Sequence, residues 1–164
     1  GNIVHKSLKW VADSGEKDLL EIRNRQLFWS NELLIDENSK SDVIELSHNH
    51  ISTVLSSSIG KWILESHLNA KSEWELSIRK NADEHRHIII DRYFEFENEH
   101  WIIDYKTGVP TSTEKLDDFL RVQRTRYTTQ LERYRSAIAN LYPSSSGNIR
   151  TALYFTGIDV LQEF

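Results

Sequence analysis

Apolar positions recur with a helical period at the start of the chain and with a strand period in its middle. Ile3, Val4, Leu8, Val11 and Ala12 predict a helix over residues 3–12, with His5 at the edge of its apolar stripe. Helix is predicted to continue from Glu16 to Leu34, with Leu19, Leu20, Ile22, Leu27, Phe28 and Trp29 on a broad apolar face. Asp36 to Ser41 is a polar break. Ser41 and Asp42, followed by Glu45, read as the start of a further helical stretch from Val43 to Leu64, with Gly60 as its kink or junction.

The period changes at Lys71. Trp74, Leu76 and Ile78 alternate with Glu73, Glu75 and Ser77, the pattern of a half-buried strand ending at Arg79, and Asn81 to Glu84 reads as a turn. Two apolar and aromatic runs, Ile88 to Phe96 and Trp101 to Tyr105, flank Glu97-Asn98-Glu99-His100 and predict a β-hairpin with a short polar loop. Gly108 to Thr113 is loop, Leu116 to Leu141 a long helix stopped by Pro143, and Asn148 to Phe155 a last strand. This order predicts an α/β fold in a single domain: a helical layer over residues 1–66, then a mixed β-sheet flanked by helices over 70–164. The connection through a long helix allows the last strand to lie parallel to a neighbour.

A hairpin symmetric about the bond between Glu97 and Asn98 sets Asp91 opposite Asp104. Two carboxylates in that position stand roughly 5 Å apart at Cβ and repel. A cation between them is expected. Lys106 shares a strand face with Asp104 and supplies one; a divalent metal supplies a stronger one, and oxygen ligands suit Mg²⁺ or Mn²⁺. From residue types alone an ordinary salt-bridge cluster remains the alternative, and a register slip of one residue would part the two aspartates. Repulsion alone predicts that Asp104→Ala leaves the fold intact and more stable without metal.

Composition narrows the classes. The 164 residues include no cysteine, which excludes disulfides and thiolate metal sites and fits a reducing, cytoplasmic setting. No apolar run approaches the length of a membrane span. With no methionine, Gly1 does not read as a translation start, and the chain is expected to be a piece of a longer protein. A net charge of −5 is unlike a free-standing nucleic-acid binder, yet Arg121, Arg124, Arg126, Arg133 and Arg135 cluster against Glu132 alone and could hold phosphates locally. His48 and His50, two apart on a helix, do not face one zinc ion.

Five motifs occur in order: the opening Gly1-Asn2-Ile3-Val4-His5-Lys6-Ser7-Leu8; Ala70-Lys71-Ser72-Glu73-Trp74-Glu75-Leu76; Ile90-Asp91-Arg92; Asp104-Tyr105-Lys106-Thr107-Gly108; and Gln130-Leu131-Glu132-Arg133-Tyr134. Together they resemble the RecB/AddA-type branch of the PD-(D/E)XK nucleases, found at the C-terminus of UvrD-like helicase–nucleases, over nearly the whole chain. The resemblance implies a restriction-endonuclease-like sheet and a Mg²⁺- or Mn²⁺-dependent deoxyribonuclease, an exonuclease of DNA repair or recombination. Its partners would be DNA and the helicase region of the same polypeptide.

It further implies that His5, Asp91, Asp104 and the backbone carbonyl of Tyr105 hold the metal. Lys106 would orient or deprotonate the attacking water, and Gln130 and Tyr134 would support the site or the DNA phosphate. Glu73 would be the acidic-strand residue, with Glu75 on the same strand face as the other candidate. The glycine this family often carries shortly before its first aspartate is absent, replaced by His87-Ile88-Ile89-Ile90. A catalytically silent DNA-binding or regulatory module of a helicase is the alternative class, and a stand-alone site-specific endonuclease a third.

Overall fold

In a computed structural model, residues 1–79 and 85–164 are described, so the turn expected at Asn81 to Glu84 lies outside them. Four helices come first: α1 (Asn2–Ser14), α2 (Leu19–Glu32), α3 (Glu37–Ser56) and α4 (Ser58–Leu64). Strands β1 (Leu68–Arg79), β2 (His85–Phe96) and β3 (Glu99–Lys106) follow, then α5 (Leu116–Leu141), a 3₁₀ turn at Pro143–Asn148, β4 (Ile149–Phe155) and β5 (Val160–Glu163). The five strands form one sheet in sequential order. β1, β2 and β3 are antiparallel neighbours. β3 and β4 make the parallel pair: Arg150 bonds Glu99 near their starts and the Thr156 N–H bonds the Lys106 carbonyl at their ends. The expected α/β class with a mixed, helix-flanked sheet and a helical N-terminal region is therefore present.

The contacts divide the chain into two compact units. One comprises Gly1–Ser66 with Tyr105–Gly108 and Phe155–Val160; the other comprises His67–Asp104, Val109–Tyr154 and Leu161–Phe164.

In the helical unit, Ile3, Val4, Leu8 and Val11 of α1 are buried with Ile22, Ile51, Val54 and Ile63. Gly15, left-handed at φ 73°, ends α1, and Asp18 caps α2 by accepting from the Leu20 N–H at 2.7 Å. The helix expected to continue from Glu16 is therefore broken at Gly15 and starts again only at Leu19. The broad apolar face expected on α2 is not its buried face. Ile22, Gln26 and Ser30, four apart, point inward, and buried Gln26 donates to Ser7 Oγ at 3.2 Å. Leu20, Leu27 and Phe28 are exposed.

α3 also starts earlier than the polar break suggested. Asp36 is its N-cap, accepting from the Asn38 N–H at 3.1 Å, and the polar residues that follow are the solvent side of its first turns. The junction with α4 falls at Ser57, whose Oγ accepts from the Gly60 N–H at 3.0 Å. Gly60 is needed for another reason: a Cβ there would run into the Val54 carbonyl.

In the sheet unit, Ile90, Tyr93, Phe94, Ile102, Ile103 and Leu153 form the core, with Leu131 and Ile138 of α5. Glu97 and Asn98, both left-handed (φ 51° and 63°), make a two-residue hairpin turn of the kind whose twist matches the flanking strands. The loop is thus shorter than expected, because Glu99 and His100 join β3.

Candidate active site

The register of the central hairpin runs from Phe96 opposite Glu99 to Arg92 opposite Ile103. One step further sets Asp91 level with Asp104, the symmetric arrangement expected from the sequence. On the other side of β2, Ser72 pairs with Arg92 and Trp74 with Ile90, so Glu73 lies level with Asp91. Glu75 lies opposite Ile89 and is exposed, which leaves Glu73 as the acidic residue in line with the aspartates. Its backbone is left-handed (φ 45°), rare for a non-glycine residue and a departure from regular strand geometry at that point.

Asp104 is only 2% exposed. A carboxylate so buried needs hydrogen bonds to stay ionised. α5 supplies them. Gln130 Nε2 donates to Asp104 Oδ1 at 2.8 Å and to the Tyr134 hydroxyl at 2.6 Å, and the Tyr134 hydroxyl is itself hydrogen-bonded to Asp104. The four-residue spacing of Gln130 and Tyr134 puts both on one helix face, as their shared target requires. Burial pushes the Tyr134 phenol up to about 12, and the Asp104 and Asp91 charges push the same way. Tyr134 therefore stays a neutral donor throughout the physiological range, and these contacts orient Asp104 without cancelling its charge.

Past the end of α5, Tyr142 stacks on His100 at 4.8 Å between centroids, and His100 Nδ1 meets the Tyr93 hydroxyl at 2.7 Å. Tyr93 is two residues from Asp91 on the same side of β2, so this buried cluster braces the strand that carries Asp91.

The arginine cluster of α5 divides by role. Arg124 bonds the Glu163 carbonyl and lies over the Phe164 ring, and Arg135 bonds Thr151 Oγ1 and the Phe164 carbonyl, each at 2.9 Å. These two fasten the C-terminal residues. Arg121 pairs with Asp118 at 3.2 Å in solvent. Arg126 and Arg133 are exposed and lie four residues before and three after Gln130, within one turn of it on the helix surface.

The remaining expected site residues belong to the helical unit. His5, in the first turn of α1, is half-buried with its ring edge-on to Tyr105 at 5.9 Å. Tyr105 is buried, and Lys106 ends β3 half-buried, two residues beyond Asp104. The Lys106 carbonyl accepts from Thr156, and Thr156 Oγ1 in turn meets His50 Nδ1 at 2.8 Å. By residue type and spacing His50 draws notice only as a possible zinc ligand; its place on the stripe of Ile44, Ser47, Ile51 and Val54 is the signal that it is buried. Burial lowers the pKa of both His50 and His48, holding each toward its neutral form.

Among the described residues no group of three His, Cys, Asp or Glu side chains is gathered as a metal cage, and no helix is long and apolar enough to cross a membrane. No protein-family model matches the chain, and no curated protein matches its sequence.

Proposed function

We propose that this chain is a divalent-metal-dependent deoxyribonuclease domain of the RecB/AddA type, an exonuclease working in DNA repair or recombination with a helicase region of the same polypeptide. The observation that carries the reading is the buried Asp104, level with Asp91 across the hairpin and held from α5 by Gln130 and Tyr134. A salt-bridge cluster does not need two neutral donors from one helix converging on one of its carboxylates.

The donor set suits Mg²⁺ or Mn²⁺, which bind through one or two carboxylates and retain water for the substrate to displace. Asp91 and Asp104 would hold the ion, with His5 and the Tyr105 carbonyl as the further ligands implied by the resemblance. When bound, the ion polarises a phosphoryl oxygen and lowers the pKa of its water. Gln130 and Tyr134 fix the direction of the Asp104 lone pairs. Lys106 supplies an ammonium that orients the attacking water or offsets charge developing on the phosphate. Arg126 and Arg133 contact neighbouring DNA phosphates. Hydrolysis leaves a 5′-phosphate and a 3′-hydroxyl.

Calorimetric titration of the protein with Mn²⁺ tests the metal site. Binding that Asp91→Ala removes, in a protein with an unchanged circular dichroism spectrum, is the expected result. Equal binding by Asp91→Ala would refute the assignment, and no binding by the parent protein would favour a silent module.

A further inference from the structure

The end of β3 that carries Lys106 is tied down by a hydrogen-bonded chain within the helical unit. The Thr156 N–H donates to the Lys106 carbonyl at 3.0 Å, and Thr156 Oγ1 donates to the same carbonyl at 3.3 Å. His50 Nδ1 lies 2.8 Å from that hydroxyl, from the buried face of α3. All the partners at the far end are enclosed: Thr156 is fully buried and His50 is 4% exposed. A hydroxyl has one proton to give. If Thr156 gives it to the Lys106 carbonyl, His50 must be the donor to Thr156, which fixes its proton on Nδ1. The ring then sets the hydroxyl rotor, and the rotor sets the carbonyl.

We propose that His50 is a positioning residue of the nuclease site, acting through Thr156 on the backbone of Lys106. The proposal rests on the nuclease reading and names a residue that none of the five motifs contains. The ammonium of Lys106 sits at the end of a long, rotatable side chain, so its aim depends on how firmly its own backbone is held. Displacing a catalytic group by about 1 Å costs on the order of a hundredfold in rate. A carbonyl bonded twice by one buried threonine, with a histidine behind it, is more constraint than strand pairing alone requires. The neutral imidazole, kept so by burial, performs this task without bringing a charge beneath Lys106.

The test combines cleavage kinetics with the ¹³C resonance of the Lys106 carbonyl, using His50→Ala, Thr156→Val and Thr156→Ser. Expected are a kcat lowered about tenfold or more in His50→Ala and Thr156→Val with KM for DNA unchanged, near-parental kcat in Thr156→Ser, and a carbonyl shift in the first two variants only. A carbonyl that does not move in His50→Ala overturns the proposal, whatever the kinetics. So does a moved carbonyl with unchanged kcat. A parent protein that cuts no DNA, with the carbonyl still shifting in the variants, would instead overturn the nuclease reading while showing that the bonded chain exists.

Discussion

Gln130 donates to Asp104 Oδ1 at 2.8 Å, from the middle of α5 to the interior of β3. The bond links the motif on the helix to the motif on the strand and fixes the direction of the Asp104 carboxylate. It also reverses what charge repulsion alone suggested for Asp104.

Truncating Asp104 removes the acceptor of the buried Tyr134 hydroxyl and one acceptor of half-buried Gln130. A buried polar group left without its partner costs about 1–3 kcal/mol, more than relief of repulsion from partly exposed Asp91 returns. Asp104→Ala is therefore expected to lower stability, whereas Asp104→Asn keeps the shape and most of the bonding and changes it by less than about 1 kcal/mol. Urea unfolding of the metal-free proteins checks the order; an Asp104→Ala variant more stable than the parent would contradict it.

Tyr134 gives the fold a dependence on alkaline pH. Its folded pKa of about 12 lies above the ordinary phenol value of 10.0. The stability this represents is complete below pH 10 and is lost as the pH rises toward 12, because the unfolded chain releases its proton first. Tyr93, raised further in the same direction chiefly by burial, adds to the loss. Tyr134→Phe should show a smaller fall in urea midpoint between pH 9 and pH 11 than the parent; an identical fall would show that Tyr134 is not held neutral.

The arginines of α5 should separate by assay. Arg126→Ala and Arg133→Ala are expected to weaken DNA binding and to reduce its salt slope by about one per arginine lost, without changing stability. Arg135→Ala, which unfastens Thr151 and the C-terminal residue, should instead lower the melting temperature and leave the salt slope alone. Fluorescence anisotropy at several salt concentrations, beside thermal melts, distinguishes the two groups.

Gly60→Ala should cost about 1–3 kcal/mol, since its Cβ meets the Val54 carbonyl, an atom of helical backbone that cannot swing away as a side chain would. A melting temperature equal to the parent's would show that α3 and α4 can part at little cost.

Much of this architecture is legible in the sequence because local signals agree there. The apolar period of α5 runs from Leu116 to Leu141, and Pro143 closes it where the helix ends. The hairpin register follows from its turn: Glu97 and Asn98 take the two left-handed positions, and pleat alternation then carries the pairing to Asp91 and Asp104. Where tertiary contacts decide, the pattern misleads. α2 buries Gln26 and Ser30 rather than Leu27 and Phe28, because Gln26 finds a partner in Ser7 from another helix. β5 is too short, at four residues, to show a period. The bond from His50 to Thr156 spans 106 positions, a separation at which spacing carries no signal. In the site, the facing of Asp91 and Asp104 is legible from the hairpin; Gln130 and Tyr134 come to it through the resemblance, their i, i+4 spacing adding only a shared helix face, and the left-handed backbone at Glu73 has no glycine to announce it.

The central claim is that Asp104 serves a metal-dependent cut in DNA, and cleavage of end-labelled linear single- and double-stranded DNA tests it most directly. The protein should be assayed with Mg²⁺, with Mn²⁺ and with EDTA, beside Asp104→Asn. Cutting that needs the metal and is lost in the folded variant is the expected result. Cutting that persists in EDTA, or at the parental rate in Asp104→Asn, would contradict it.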